Sequence, residues 1–179
     1  PLNNDDNSNI SNENGNSVIV GTTAMVQLKK VGALSTLISD NVKFNITDLR
    51  IIGDINGDDI ALIREMAGAD VKGNETNGKL ANLNLSNANL VNGGIYYTGI
   101  TQEVSSSNEL WQYMFYKCGS LTSIVLPNNI AHIGAFALSY SGITSFTIPN
   151  NIQTIGNEAF ANCTKLESIV IGNSIVSAA

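Results

Sequence analysis

The chain has 179 residues, of which 43% are hydrophobic but only 13% are charged, and its net charge at pH 7 is -6. This length suits one ordinary domain, and the excess of acids excludes the basic surface that nucleic-acid binding requires, so no nucleic-acid partner is expected. The single histidine, His132, excludes sites built from several histidines, and no apolar run reaches the ~18 residues of a membrane-spanning helix.

Residues 1–17 are predicted to form a disordered, Asn-rich tether. One leucine and one isoleucine offer too little apolar surface to offset the entropy lost on folding. Residues 18–45 follow as a mixed N-terminal cap. The apolar pattern predicts a strand over 25–28 and a helix over 33–39, separated by a break at Gly32.

Residues 46–179 repeat the phrase L-x-x-L-x-L. Its first two copies, Ile46–Ile51 and Leu80–Leu85, are widely spaced, so residues 46–114 are expected to be irregular repeats with insertions, including a helix over 58–67. Residues 115–179 are regular. Their three copies read Leu121–Gly134, Ile143–Gly156 and Leu166–Ile175, with anchors Ile124, Phe146 and Ile169 spaced by 22 and 23 residues.

Each regular unit places its last two apolar residues on one side of a short strand, which Pro or Gly then ends. The I-x-x-I-G and A-F-x-x-C spacings predict a curved return segment of turns and short helix. Such a unit cannot cover its apolar face alone and must stack on its neighbours. We therefore predict an α/β repeat solenoid with about five parallel strands. One side of it should bury Leu121, Ile124, Leu126, Phe146, Ile148, Ile169 and Ile171.

The linking phrases Phe115–Leu121 and Phe160–Leu166 complete a longer motif, A-F-x-x-C-x-x-L-x-x-I-x-I-P-x-x-I-x-x-I-G. This motif resembles the repeat of BspA-like bacterial leucine-rich-repeat cell-surface proteins. The resemblance implies a leucine-rich-repeat domain over 46–179 that is exported to the cell surface, with a lipid or other anchor upstream of Pro1. It also implies non-catalytic adhesion to a protein or extracellular-matrix partner, without a cofactor.

The outward-facing strand residues are expected to form ladders across one nearly uncharged sheet face. Such a face suits a protein or matrix partner better than sugars, which stack on exposed aromatic rings. The predicted binding residues are Arg50, Asn82, Asn84, Ser123, Val125, Ser145, Thr147, Ser168 and Val170.

Two alternatives stay open for how the chain binds. Aromatic residues are enriched at interfaces, and the candidates are Tyr96, Tyr97, Trp111, Tyr113, Tyr116 and Tyr140. For Trp111, however, the spacing beside Met114 and Phe115 favours packing of an insertion onto the stack. The other alternative is self-association, in which the apolar edge at residues 175–179 pairs with a second chain.

A calcium loop is a further alternative for residues 54–65. The ligand spacing 1, 3, 5, 12 is matched by Asp54, Asn56, Asp58 and Glu65, and the segment resembles a dockerin module. Position 6 should be Gly but is Asp59, and position 9 is the apolar Leu62. The competing interpretation, that Asp58 and Asp59 cap the following helix, is favoured, so no metal is expected.

Cys118 and Cys163 occupy equivalent positions two units apart. Parallel strands are spaced by ~4.8 Å, which places the two Cα atoms about 10 Å apart, beyond the reach of a disulfide. We therefore predict two buried free thiols. His132 aligns with Thr154 of the next unit, which indicates an exposed position rather than a member of a catalytic triad.

Overall fold

A computed structural model of the protein describes residues 8–98, 107–171 and 177–178. Within these ranges the strands are β1 (Ser8–Asn12), β2 (Gly15–Val20), β3 (Thr23–Leu28), β4 (Asp48–Ile55), β5 (Asn82–Leu90), β6 (Glu109–Leu110), β7 (Ser123–Val125), β8 (His132–Ile133), β9 (Ser145–Ile148), β10 (Thr154–Ile155), β11 (Ser168–Ile171) and β12 (Ser177–Ala178). Helix α1 (Gly57–Met66) lies between β4 and β5 in the chain. Residues 1–7 of the predicted tether, and Ile175 at the end of the last repeat, lie outside the described residues.

The predicted parallel pairing of repeat strands is confirmed within two sheets. In the larger sheet the order is β1-β2-β3-β4-β5-β7, antiparallel up to β3 and parallel from β3 onwards. β9 and β11 form a separate parallel pair that aligns Phe146 with Ile169. The amide of Thr144 donates to the carbonyl of Thr122 at 3.1 Å, so the segments leading into β9 and β7 are neighbours. The strand predicted over 25–28 is confirmed as part of β3, but its parallel pairing with β4, which extends the parallel series into the cap, was not predicted.

The return segments form a second sheet, in the parallel order β12-β10-β8-β6. The predicted turns are present, but the predicted short helices are wrong: the described return segments contain two-residue strands instead. The physical reason is that consecutive segments lie close enough to satisfy each other's backbone groups. The amide of Gly134 donates to Leu110, and that of Gly156 donates to Ile133, each at 2.7 Å.

The expectation of a disordered tether is wrong for residues 8–17. β1 pairs with β2 along its whole length, with Ser8 opposite Ile19 and Asn12 opposite Gly15. Ser17 is buried, and its hydroxyl donates to the carbonyl of Leu37 at 2.7 Å. β1 is held by main-chain hydrogen bonds to β2, which is itself paired with β3 in the sheet. A count of apolar residues does not detect this source of order.

Helix α1 confirms the helix predicted over 58–67, whereas the cap helix predicted over 33–39 is only a single 3-10 turn, Leu34–Thr36. A second such turn spans Lys43–Asn45. The buried Asp59 carboxylate of α1 explains the short turn. It accepts hydrogen bonds from the backbone amides of Gly32 at 2.8 Å and Leu34 at 2.9 Å, and so ties this loop to α1 instead of letting it continue as a helix.

One hydrophobic core runs through the described strands and includes Leu121, Leu126, Phe146 and Ile148, as predicted. Ile124 is partly buried against it. The predicted burial of two further residues is wrong: Ile169 is 39% exposed and Ile171 is 62% exposed. Among the described residues β11 has β9 as its one ladder partner, so its side chains are covered from one side.

Candidate binding face

The outward side chains of the larger sheet form two straight rows, because alternate residues of a strand point to the same side and neighbouring strands are in register. The first row contains Val18, Met25, Arg50, Asn84 and Val125. The second row contains Val20, Thr23, Asp48, Asn82 and Ser123. We call these ten residues the strand face.

The strand face lines a groove of about 530 Å³, a size in the range of binding pockets. Four apolar side chains of the groove, Val18, Val20, Met25 and Val125, are between 41% and 56% exposed. Clustered apolar exposure of this kind is typical of an interaction site. The groove therefore has apolar ends and a polar centre.

At the polar centre the acidic group already accepts two hydrogen bonds from neutral side chains. One Asp48 carboxylate oxygen accepts a hydrogen bond from the Asn82 amide at 2.8 Å, and the other accepts one from the Thr47 hydroxyl at 2.7 Å. The Asn84 side-chain oxygen accepts from the amide and hydroxyl of Ser86, at 3.0 and 2.7 Å. These contacts hold the polar side chains in place before any partner arrives.

Arg50 differs, because no carboxylate forms an ion pair with it among the described residues. It is exposed, and its Nη2 donates to the side-chain oxygen of Asn87 at 2.8 Å. Both ion pairs in the described part of the chain belong to Lys43, with Asp40 and Glu65. Arg50 thus places a positive charge at the centre of the groove.

Five predicted binding residues lie in the groove: Arg50, Asn82, Asn84, Ser123 and Val125. The other four, Ser145, Thr147, Ser168 and Val170, are exposed on β9 and β11 but do not line it. The sequence prediction missed the contribution of the cap, from Val18, Val20, Thr23 and Met25. The signal that could have found these residues is the alternation of exposed and buried side chains along the two strands, with buried neighbours such as Ile19 and Ala24.

The aromatic candidates divide into a core pair and a surface cluster. Tyr96 and Trp111 are buried with ring centroids 5.3 Å apart, which confirms packing of the insertion for Trp111. We call the second group, Tyr97, Tyr113, Tyr116, Phe136 and Tyr140, the aromatic cluster. Its ring contacts span 4.9 to 5.7 Å, the shortest being the stacked pair Tyr113 and Phe136.

The buried Arg64 side chain fixes the backbone that carries part of the aromatic cluster. Its Nη1 donates to the carbonyls of Tyr113 and Met114, both at 3.0 Å, and its Nη2 donates to those of Asp70 at 3.0 Å and Tyr116 at 3.1 Å. The guanidinium also lies 5.1 Å from the centre of the Tyr97 ring. One side chain on α1 thus fixes a segment about fifty residues further along the chain.

The stacked strands and repeated return segments agree with the sequence comparison. Residues 97–178 match six copies of the BspA type leucine rich repeat region. The match covers slightly less than half of the chain, and this segment is similar to BspA-type leucine-rich-repeat proteins. The resemblance inferred from the repeat motif is confirmed.

Two solved structures are also similar to this chain. A leucine rich cell surface protein from Faecalibacterium prausnitzii A2-165 is 14% identical with a TM-score of 0.37, covering 92% of this chain and 54% of that one. The pneumococcal vaccine antigen PcpA is 13% identical with a TM-score of 0.38, covering 94% of this chain and 39% of that one. The chain therefore spans about half the length of the first protein and two fifths of the second. No curated protein matches it.

Both cysteines of the BspA-type repeats are free and buried, as predicted. Ser141 lies in the same column, with its Oγ 3.5 Å from Sγ of Cys163. Burial raises the pKa of the Cys118 thiol to about 11. A thiol in this state is an inert small core residue rather than a nucleophile.

The predicted alignment of His132 with Thr154 is confirmed by the register of β8 and β10. The His132 ring is partly buried, whereas an exposed position was predicted. Its Nδ1 lies 2.8 Å from the Thr154 hydroxyl oxygen. Glu109 stands opposite His132 on β6, and burial raises the pKa of its carboxyl, an effect that His132 opposes. This column places the side chains of three neighbouring return segments side by side.

The four candidate calcium ligands, Asp54, Asn56, Asp58 and Glu65, make other contacts. The capping interpretation is confirmed for Asp59, which forms a capping box with Asn56, but it is wrong for Asp58, since the N-cap of α1 is Asn56 and the Asp58 amide donates to it. The Glu65 carboxylate accepts from Nζ of Lys43 at 2.9 Å. Over the described ranges, no three His, Cys, Asp or Glu side chains converge as a metal site would require.

Proposed function

We propose that this chain is a non-catalytic binding module of the bacterial cell surface, and that its strand face recognises a protein or extracellular-matrix partner. The BspA-type repeats support the surface location, since proteins that this motif resembles are exported and adhesive. In the same proposal the two strand sheets and the return sheet are parts of one solenoid. Within the described residues no helix has the length and apolarity to cross a bilayer.

The observation that carries the proposal is the apolar groove on an ordered sheet. Its backbone is fixed by strand pairing on both sides of β3, β4 and β5, so little conformational entropy is lost when a partner binds. The exposed apolar side chains supply burial energy, and the paired polar side chains supply specificity. Ser145, Thr147, Ser168 and Val170 extend this proposed contact beyond the groove onto β9 and β11.

A capture experiment tests the proposal. The biotinylated chain is incubated with detergent extracts of host and bacterial surfaces, beside a variant carrying lysine at Ser123, Ser145 and Ser168. A partner bound to the strand face would bury the three lysine side chains without a counter-ion, which is costly. We therefore expect the amount of captured protein to fall at least tenfold. A control variant carries lysine at three exposed positions outside the strands, Gln153, Asn157 and Thr164.

The control variant has the same change in net charge and should capture the partner as the unchanged chain does. Equal capture by all three proteins, or loss of capture in the control alone, would show that the strand face is not the recognition surface. Circular dichroism melts of each variant establish that the charges have not unfolded the protein.

Self-association is a second candidate, favoured by the exposed apolar residues of β11. Phe146 and Ile148 on β9 are buried, whereas Ile169 and Ile171 at the equivalent positions of β11 are exposed. Among the described residues the other edge of β11 is unpaired, and such an edge is a template for another chain. In the same assay, capture of the chain by itself, abolished by Ile171→Lys but not by the lysines at Ser123, Ser145 and Ser168, would favour assembly over recognition.

A further inference from the structure

We propose that the groove binds an extended polypeptide segment in which one acidic side chain is flanked, two residues away on each side, by apolar side chains. This inference rests on the proposed function, because it specifies the chemistry of the partner at the same strand face. Three features of the groove support it: its charge, the spacing of its apolar side chains and the absence of aromatic rings from its described lining.

The unpaired guanidinium of Arg50 favours an acidic group. Arg50 has one hydrogen bond, to Asn87, and no carboxylate pairs with it among the described residues. A guanidinium presents a planar set of donors that matches both oxygens of a carboxylate. Asp48, the other charged residue of the groove, forms no ion pair with Arg50, and its two oxygens accept hydrogen bonds from Asn82 and Thr47.

The apolar side chains stand on both sides of Arg50 in the same row, Met25 on β3 and Val125 on β7. These strands are three spacings apart, or about 14 Å at ~4.8 Å per spacing. In an extended peptide, residues four apart lie on the same side and span roughly 13 Å. The residue midway between them faces the same way and reaches the region of Arg50, which gives the order apolar, any, acidic, any, apolar.

The lining favours a polypeptide over a glycan. Sugar recognition commonly uses exposed aromatic faces, but the residues that line the groove are aliphatic or polar. Valine and methionine side chains instead accept leucine-sized groups, and methionine adapts to irregular shapes.

Titration of the full chain with two synthetic peptide probes tests the inference. The first probe, blocked at both ends, has the sequence leucine, serine, aspartate, serine, leucine; the second has asparagine in place of aspartate. We expect the aspartate probe to bind about tenfold more tightly, as a charge-assisted hydrogen bond would give. Arg50→Gln should weaken the aspartate probe about tenfold and leave the asparagine probe unchanged. Lys165→Gln, at an exposed site outside the strand face, should change neither.

Equal affinity of the two probes, or an Arg50→Gln variant that binds the aspartate probe as before, would overturn the inference. Failure of both probes to bind would overturn it as well. The proposed function survives each of these results if capture is still lost when Ser123, Ser145 and Ser168 carry lysine. It fails, together with the inference, if that capture is unaffected.

Discussion

Replacing Arg64 with methionine is expected to lower the free energy of unfolding by about 3 kcal/mol or more. The side chain is fully buried and its guanidinium donates to four backbone carbonyls, three of them between residues 113 and 116. Methionine fills a similar volume but leaves these carbonyls without their donors. Urea unfolding followed by circular dichroism measures the change.

Arg50→Met is the matched control for this prediction. It makes the same chemical change at an exposed side chain with one side-chain hydrogen bond, so we expect a loss below about 1 kcal/mol. If Arg64→Met were as mild as Arg50→Met, the buried guanidinium would not be the element that holds the segment around Tyr113 to α1.

Gly134→Ala is expected to destabilise the protein by about 2 kcal/mol, because the return segments leave no room for a side chain there. An added Cβ would lie 2.6 Å from the amide nitrogen of Gln112 and 2.9 Å from the carbonyl oxygen of Leu110. Both are backbone atoms of the preceding unit and cannot rotate away. Gly156→Ala should behave alike, since its Cβ would lie 2.6 Å from the amide nitrogen of Ala135.

Gly119→Ala provides the comparison for these glycines. Its added Cβ would be 4.0 Å from the nearest atom, the carbonyl oxygen of Lys117, so thermal unfolding should be nearly unchanged. A Gly134→Ala variant with the stability of Gly119→Ala would contradict the close stacking of neighbouring return segments.

The spacing of the repeat anchors predicted the register of the strands well. Ile124, Phe146 and Ile169 recur at nearly constant intervals, and a constant interval fixes which residues stand side by side in a stack. The outward residues between them followed directly, which is why Ser123 and Val125 were assigned to the binding face. Helix α1 was also predictable, since its cap and its apolar spacing are local signals.

The contribution of the cap to the groove was not predictable in the same way. Val18 to Leu28 lacks the repeated phrase, and nothing local determines that β3 pairs in parallel with β4 after an antiparallel hairpin with β2. The direction of strand pairing is decided by the tertiary fold. The prediction of a disordered tether failed for a related reason. It rested on the low apolar content of residues 1–17, whereas β1 is ordered by main-chain pairing with β2.

Arg64 shows a second limit of sequence reasoning. In the sequence it is one cation in the last turn of a predicted helix, a position normally explained by the helix dipole. Three of its four acceptors, the carbonyls of Tyr113, Met114 and Tyr116, are main-chain groups that lie 49 to 52 residues away. Backbone acceptors carry no side-chain signature, so the pattern of residues contains no sign of them.

We propose that recognition takes place at the strand face and not at the aromatic cluster. Val125 and Tyr140 permit a direct comparison, because they are 48% and 49% exposed on the two surfaces. The measurement is the dissociation constant of the captured partner for Val125→Lys and for Tyr140→Lys. We expect Val125→Lys to weaken binding at least tenfold and Tyr140→Lys to leave it within twofold, as a few buried contacts dominate affinity. The reverse order would place the binding site on the aromatic cluster and show that the strand face is not the recognition surface.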